Sequence, residues 1–139
     1  MTPVKMSKAD PKNAERAAEH FAVKVLGCVK TVRAIQTQFQ RQDMFGSDVI
    51  GKLADGTCRY IQVTTGGKSA VQQRKQKMLS YPWQASDRVF VLQMLKFIEK
   101  NKASYRFEVN ELKQRSLWEK WITRAEVDKS WFKALKNSR

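Results

Sequence analysis

The sequence predicts an α/β fold in which helices pack on a mixed central β-sheet. A helix signal stands near the start, two strand-like runs flank a short turn within residues 46–65, and a polar helical segment precedes the near-continuous apolar run of residues 89–97. An antiparallel meander that crosses through a helix to a buried strand produces a mixed sheet covered by helices.

The chain length allows one domain with a core of its own. The protein has 139 residues, of which 42% are hydrophobic, a share that is ordinary for a globular protein. Residues 1–9 are predicted to form a flexible basic tail and residues 10–139 a single domain. Within that domain the core is expected over about residues 10–97 and a C-terminal addition over about residues 98–139.

The first predicted elements are a helix and a strand. Asp10 is a typical N-cap and Pro11 suits the first helical position, so a helix is expected to begin there and to end near Gly27. Residues 29–39 then alternate between two sets of side chains, as a strand does. The helix therefore leads directly into the first strand of the meander.

A β-hairpin is predicted around a turn at residues 54–56. If this turn holds three residues, Leu53 pairs with Thr57, and Asp48 then falls opposite Gln62. Opposed residues of antiparallel strands share a face of the sheet. The pairing therefore predicts that a carboxylate and an amide lie side by side near the strand ends.

The neighbouring Thr64 shares that face with Asp48 and Gln62, because it lies two residues along the same strand. A carboxylate beside a second oxygen ligand is the minimum of a divalent-metal nuclease site. In a strongly basic chain the hairpin thus predicts chemistry on a phosphodiester.

The second half of the chain is predicted to pass from helix to strands and to end in helices. A basic helix is expected at residues 69–80, a buried strand at residues 89–97 and a peripheral strand at residues 105–109. Residues 112–122 are predicted to be helical, and a capping box at residues 123–126 predicts a last helix. The tryptophans of these helices are interpreted as core packing, with stacking on unpaired bases as the alternative.

The charge of the chain points to nucleic acid as its partner. The formal net charge is +14 and the pI is about 10.1, and so large an excess is typical of proteins that bind polyanions. An anionic membrane surface is the second candidate partner, but no apolar run approaches the roughly 20 residues of a spanning helix. Because the N-terminus has no signal-peptide pattern, the protein is expected to be located inside the cell, in the cytoplasm or nucleoid, and a viral origin is left open.

Composition excludes several common active sites. One histidine, His20, and two distant cysteines, Cys28 and Cys58, provide no zinc-binding spacing. A Ser-His-Asp triad would need His20, and no nucleophile elbow accompanies it. Residues 66–69 lack the upstream glycine of a Walker loop. The hairpin therefore carries the functional hypothesis.

The predicted order of helix, three strands, helix and strand, with Asp48 on the second strand and Gln62-Val63-Thr64 on the third, resembles the PD-(D/E)XK nuclease superfamily. The chain looks most similar to archaeal-type Holliday junction resolvases and their viral relatives, over about residues 10–97. The resemblance implies a restriction-endonuclease-like αβββαβ core with a C-terminal helical addition. It also implies a homodimer that hydrolyses branched or junction DNA with Mg²⁺ or Mn²⁺.

The resemblance implies the metal ligands residue by residue. The family's glutamate on the first helix matches Glu15, with Glu19 as the alternative. The family's aspartate matches Asp48, and the first position of its Glu-x-Lys motif matches Gln62. Asp48, Gln62 and Glu15 would then hold the metal, with Gln62 contributing an amide oxygen but no charge.

Thr64 replaces the motif lysine, and its hydroxyl can hold a water molecule but supplies no positive charge. Lys68 is the favoured substitute and completes the implied catalytic set, with Lys75 as the alternative. Arg74, Lys75 and Lys77 on the following helix are expected to contact the DNA backbone. The two departures from the motif favour, as the alternative function, a catalytically inactive nuclease fold that binds DNA. A third possibility is an assembly protein whose basic face binds an acidic partner.

Overall fold

The computed structural model describes residues 4–33, 46–113 and 117–135, which form two α-helices and one eight-stranded sheet. In chain order the elements are β1 (Lys5–Ser7), α1 (Pro11–Lys24), β2 (Lys30–Arg33), β3 (Val49–Lys52), β4 (Cys58–Thr64), α2 (Lys68–Leu79), β5 (Arg88–Glu99), β6 (Lys102–Lys113), β7 (Leu117–Lys120), β8 (Ala125–Val127) and a 3₁₀ helix (Lys129–Phe132). The predicted α/β class is confirmed, and α1 to β5 follow one another in the predicted order.

The strands lie across the sheet in the order β2-β3-β4-β5-β6-β7, while β1 pairs with β5 and β8 pairs with β6. β4 and β5 are parallel because α2 carries the chain back along the sheet between them. The other described strand pairs are antiparallel. The predicted mixed sheet is therefore confirmed.

Two placements differ from the sequence prediction at the edges of the core. Lys5 pairs with Ile98, so part of the segment predicted as a tail is a short strand of the sheet. β6 lies between β5 and β7, whereas its sequence predicted a peripheral strand. The long strand predicted at residues 29–39 begins as β2, and residues 34–39 lie outside the described residues.

Helix α1 begins at the predicted cap and packs on one face of the sheet. The Asp10 carboxylate accepts the N–H of Lys12 at 2.9 Å, and Pro11 opens the helix. Gly27 has a φ of 77°, the left-handed conformation that commonly ends a helix. Phe21 is fully buried, and burial of such a ring contributes about 1.5–3 kcal/mol. This α1 face consists mainly of apolar side chains, namely Val49, Ile61, Val63, Phe90, Leu92, Met94, Phe107 and Val109.

Helix α2 covers the opposite face through a smaller apolar cluster. Val71 and Met78 of the helix pack on Val89 and Val91 of β5, with Trp118 of β7 at the margin. Side chains alternate between the two faces along a strand. The strand residues that lie between those of the α1 face are therefore on the face that α2 covers. This α2 face also carries polar side chains, namely Gln62, Thr64, Gln93, Glu108, Asn110 and Lys120.

The predicted hairpin pairing is confirmed. The Leu53 N–H donates to the Thr57 carbonyl at 2.9 Å, and Val49 lies opposite Ile61. At the turn, Gly56 has a φ of 91°, a conformation that costs glycine little. The regular pairing ends with Val49 opposite Ile61, and the Asp48 N–H donates to the Ile61 carbonyl at 2.8 Å, so the predicted pairing of Asp48 with Gln62 stays a prediction.

The helices predicted at residues 112–122 and beyond residue 123 are wrong, and the C-terminal helical addition with them. β7 pairs with β6, with Trp118 opposite Leu112, and the Trp121 N–H extends the pairing to the Val109 carbonyl at 2.8 Å. The described part of the addition consists of strands β6, β7 and β8 and a short 3₁₀ helix. It completes the central sheet instead of standing beside it.

Tryptophan spacing explains this error. Residues three positions apart share one face of a helix, but on a strand they lie on opposite faces. Trp118 packs beneath α2, whereas Trp121 lies 5.8 Å from the ring of Phe21 on the α1 face. The capping box predicted at residues 123–126 is also wrong, because Ala125 and Glu126 belong to β8. The cap of the following 3₁₀ helix is Asp128, whose carboxylate accepts the N–H of Ser130 at 2.8 Å.

Neither α1 nor α2, the helices of the described residues that exceed one turn, is long and apolar enough to cross a membrane.

Candidate functional site

Asp48 immediately precedes β3 and joins that strand to β4 through both its backbone and its side chain. Its N–H donates to the Ile61 carbonyl at 2.8 Å, and its Oδ2 accepts the N–H of Val63 at 2.9 Å. The residue is 9% exposed. A charged acceptor that is held by a backbone N–H has a fixed position, so the carboxylate is oriented before any ligand arrives.

Gln62 is held by a glycine that the sequence analysis did not single out. The side-chain nitrogen of Gln62 donates to the Gly46 carbonyl. Gly46 has a φ of 73°, and a Cβ there would lie 2.7 Å from Cε2 of Tyr81. Since both the conformation and the space require glycine, the Phe-Gly-Ser-Asp run contains a signal for this position.

Thr64 is the last residue of β4. Its hydroxyl oxygen accepts the N–H of Gly66 at 3.0 Å, and the side chain is 6% exposed. A hydroxyl that accepts from one group can still donate its proton to another. Thr64 therefore serves the turn into α2 and retains a donor for a second partner.

The two glutamates of α1 lie on the helix that covers the opposite face of the sheet. Glu19 is 1% exposed, pairs with Arg33 at 2.8 Å and accepts the hydroxyl of Thr31 at 2.7 Å. These contacts tie α1 to β2, which is a structural role. Glu15 lies one turn earlier and is half-buried. Within residues 4–33, 46–113 and 117–135, no three His, Cys, Asp or Glu side chains come together as a metal site.

The predicted basic residues occupy different environments on α2. Lys68 is exposed at the first position of the helix, and Lys77 is exposed near its end. Arg74 and Lys75 are half-buried beside the stripe that packs on the sheet. Burial, together with the charge of Lys120, lowers the pKa of Lys75. The two ammonium groups of Lys75 and Lys120 therefore act on each other across the α2 face.

A row of polar residues extends from Thr64 across the sheet. Thr64 pairs with Gln93 of β5, and Gln93 pairs with Glu108 of β6. Adjacent strands lie about 4.8 Å apart, so Glu108 is about 10 Å from Thr64 on the same face. The sequence predicts the alternation in β6, but the position of β6 inside the sheet is what buries Glu108.

A parallel row begins at Gln62 and follows the same pairing. Gln62 pairs with Val91, Val91 with Asn110, and Asn110 with Lys120 of β7. The Asn110 side chain donates to the Val91 carbonyl at 3.3 Å. The candidate site is thus one end of a polar strip that spans four neighbouring strands.

Comparison of the chain with protein-family models, with curated proteins and with solved structures finds no match.

Proposed function

We propose that this protein is a Mg²⁺-dependent, structure-selective DNA endonuclease of the PD-(D/E)XK type, with Asp48 as its charged metal ligand. One observation carries the proposal: the Asp48 carboxylate is held at the end of the hairpin by the N–H of Val63, between Gln62 and Thr64, which share one face of β4. The sequence order of the surrounding elements supports it. The net charge of +14 suits a polyanionic substrate.

The side chains of this strip have the donor atoms that Mg²⁺ prefers. Asp48 offers a carboxylate that is already oriented by the Val63 N–H, and a carboxylate has lone pairs for more than one partner. Gln62 uses its nitrogen toward Gly46, so its amide oxygen is the atom that would face a metal. Bound Mg²⁺ would polarise the phosphate and neutralise its charge. Glu15 lies on α1, which covers the opposite face of the sheet, so the proposal leaves it out of the metal set.

Thr64 and Lys68 have separate parts in the proposed reaction. The Thr64 hydroxyl accepts from Gly66 and would donate its proton to a water molecule or to a phosphate oxygen. Lys68, exposed at the start of α2, would supply the positive charge that Thr64 lacks. Arg74, Lys75 and Lys77 on α2 extend the basic surface along which the DNA backbone would lie.

The test is cleavage of four-way and branched DNA with Mg²⁺ or Mn²⁺. Asp48→Ala is expected to lower the rate at least a hundredfold, because it removes the charged ligand. Asp55→Ala is the matched control, since Asp55 is an exposed carboxylate at the opposite end of the same hairpin. Activity of Asp48→Ala at the wild-type level would remove Asp48 from the site.

A nuclease-like fold that binds DNA without cleaving it is the second candidate. The observation that favours it is the neutral pair Gln62 and Thr64 beside one carboxylate, with Thr64 engaged by the turn into α2. It predicts salt-dependent DNA binding, no cleavage, and no specific Mn²⁺ heat in calorimetry. Specific Mn²⁺ binding that is lost in Asp48→Ala would decide for the enzyme.

A homodimer is part of the proposed function, and the edge of the sheet offers a surface for it. β7 is the last strand of the described order, and Leu117 and Ile122 beside it are 54% and 101% exposed. Light scattering of the wild type and of Ile122→Glu tests this. A dimer that dissociates in the variant supports an interface at this edge.

A further inference from the structure

A cavity of about 410 Å³ lies between α2 and strands β5, β6 and β7. Its lining comes from one side of α2 and from the polar rows of the α2 face. The volume lies within the range of small-ligand pockets, about 300–1,000 Å³. The hairpin residues Asp48 and Gln62 do not line it, whereas Lys68 and Lys75 do, so it adjoins the candidate nuclease site and shares these two lysines with it.

Three lysines and one carboxylate line the cavity. Lys68 and Lys75 come from α2 and Lys120 comes from β7, whereas Glu108 comes from β6. Glu108 lies 3.8 Å from Lys120 and 3.2 Å from Arg124, and Arg124 lies outside the cavity, so this one carboxylate is shared between two cations. The lining therefore keeps an excess of positive charge, which favours an anionic ligand.

Repulsion between two of these lysines supports the same conclusion. Burial and the charge of Lys120 lower the pKa of Lys75. An anion placed between the two ammonium groups would relieve this repulsion and restore charge balance. The lysine side of the cavity therefore favours binding of a phosphate group.

The other side of the cavity presents an aromatic ring and polar groups that lack partners. Among the described residues, Nε1 of Trp118 and Oε2 of Glu108 are buried without a hydrogen-bond partner. The Gln93 nitrogen donates to the Gly66 carbonyl at 3.0 Å, and the Asn110 nitrogen donates to Val91, so their amide oxygens are available as acceptors. A buried polar group without a protein partner can hydrogen-bond to a ligand or to an ordered water molecule.

We propose that this cavity binds one nucleotide unit, with its phosphate among Lys68, Lys75 and Lys120 and its base against Trp118. The amino groups of a base that stacks on Trp118 would donate to the acceptors Glu108 and Asn110, and the Trp118 N–H, which lies in the plane of its ring, would donate to a sugar or phosphate oxygen beside the base. A base has both a face that stacks on an aromatic ring and an edge that forms hydrogen bonds. An inorganic anion would use the lysines alone.

The position of the cavity indicates that the nucleotide belongs to a nucleic-acid strand. Glu108 and Thr64 lie on the same paired row, about 10 Å apart by strand spacing. A strand bound at the Asp48 site would therefore extend toward the cavity, whose volume of about 410 Å³ is in the range of sites for one small ligand. This use in strand recognition rests on the proposed function, whereas affinity for a nucleotide does not.

The test measures binding to the full chain in EDTA, where metal-dependent cleavage does not occur. The probes are dAMP, inorganic phosphate, a short single-stranded DNA and a blunt duplex of equal length. We expect single-stranded DNA to bind more tightly than dAMP, and dAMP more tightly than phosphate. Equal affinity for dAMP and phosphate would overturn the base contact. Tighter binding of dAMP than of the single strand would overturn the strand as its source.

Three variants test the residues. Trp118→Ala is expected to weaken binding of single-stranded DNA about tenfold, as loss of one stacked base does, and Trp118→Phe to retain most of it. Lys120→Ala, at an exposed position, is expected to weaken it about threefold to tenfold. Lys129→Ala removes the same charge from the opposite face of the sheet and is expected to leave binding unchanged. Equal losses in Lys120→Ala and Lys129→Ala would mean that total charge, and no cavity, accounts for binding.

The outcomes separate this proposal from the nuclease proposal. Asp48→Ala is expected to bind single-stranded DNA in EDTA as the wild type does. If Asp48→Ala abolishes cleavage while the Trp118 and Lys120 variants bind normally, the cavity proposal fails and the nuclease stands. If Asp48 proves dispensable and the cavity variants lose binding, the cavity stands alone.

Discussion

The two faces of the central sheet differ in what they bury. The α1 face buries large apolar side chains, with Phe21 of α1 packed edge-on against Phe90 and Phe107 at 6.4 and 5.8 Å. The α2 face buries a small apolar cluster and beside it a strip of amides, a hydroxyl and carboxylates. Burial of polar groups costs free energy, and proteins retain such groups mainly at sites that bind a ligand or catalyse a reaction. One face therefore provides stability and the other carries the proposed function.

Two buried glutamates three positions apart on β6 show the same contrast. On the α1 face, Glu111 accepts from Arg88 at 2.6 and 2.9 Å and from Trp121 at 3.3 Å. On the α2 face, Glu108 contacts Arg124 and Lys120 through one oxygen, while its other oxygen has no partner among the described residues. A fully paired carboxylate stabilises a fold, whereas a partly paired one is suited to bind a ligand.

The largest expected effect is on the α1 face. Phe21→Ala is expected to lower the free energy of unfolding by about 3–5 kcal/mol, because it leaves a cavity among Phe90, Phe107 and Trp121. Val71→Ala on α2 is the comparison and is expected to cost about 1–2 kcal/mol. Urea unfolding measures both. Similar losses from the two variants would contradict the division between the faces.

The next largest loss of stability is expected on substitution of Glu111, and its size depends on pH. Burial alone would raise the pKa of Glu111, but the hydrogen bonds and charge of Arg88 outweigh it and lower the pKa. Because the folded protein then binds this proton less readily than the unfolded chain, the stabilisation is complete above the unfolded pKa of about 4.3 and is lost as the pH falls through the folded value.

Glu111→Gln is therefore expected to cost about 1.5–3 kcal/mol at pH 7, the range for hydrogen bonds to charged groups. The difference from the wild type should shrink as the pH falls below about 4. Denaturant curves at several pH values measure it. Glu108→Gln is the matched variant on the α2 face and is expected to change stability little. A larger loss for Glu108→Gln than for Glu111→Gln would reverse the comparison.

The third largest loss of stability is expected at Gly51, where α1 packs closely on the hairpin. A Cβ at Gly51 would lie 2.4 Å from Sγ of Cys28 and 3.3 Å from Cβ of Ala22. Gly51→Ala is therefore expected to destabilise the protein by about 1–3 kcal/mol through overpacking. Gly67→Ala, at the start of α2, meets nothing within 4 Å and is expected to cost a few tenths of a kcal/mol. Thermal unfolding distinguishes the two, and equal shifts would argue against tight packing on the α1 face.

The smallest expected effect on stability is at Thr64. Thr64→Val removes the acceptor for the Gly66 N–H and is expected to cost about 0.5–1.5 kcal/mol. Thr57→Val removes a hydroxyl from the exposed end of the same hairpin and is the control. The informative readout is DNA cleavage, which should fall in Thr64→Val and persist in Thr57→Val. Full cleavage by a destabilised Thr64→Val would give Thr64 a structural role alone.

Local patterns were sufficient for the first part of the fold because the signals there are short-range. Asp10 and Pro11 define where α1 begins, since capping depends on adjacent backbone groups. The pairing of Leu53 with Thr57 follows from the length of the turn, and it brings Asp48 beside β4, where its carboxylate accepts the N–H of Val63. The closeness of Asp48 to this part of β4 was therefore predictable from the sequence.

The C-terminal part was not predictable in the same way. The spacing of Trp118 and Trp121 fits one side of a helix or two sides of a strand, and the choice depends on whether β6 offers an edge for pairing. Glu15 illustrates the same limit, because its place on α1 is local information, whereas the face of the sheet that α1 covers is not.

The sequence by itself determined the order of elements from α1 to β5, the hairpin pairing and the strong positive charge, because caps, turn length, alternation and composition act over a few residues. Only the tertiary structure decided that β6 lies inside the sheet. That position buries Glu108 and Asn110, brings Lys120 toward Lys75, and forms the cavity beneath α2. Such contacts join residues far apart in the chain, and pairing and burial of whole strands specify them.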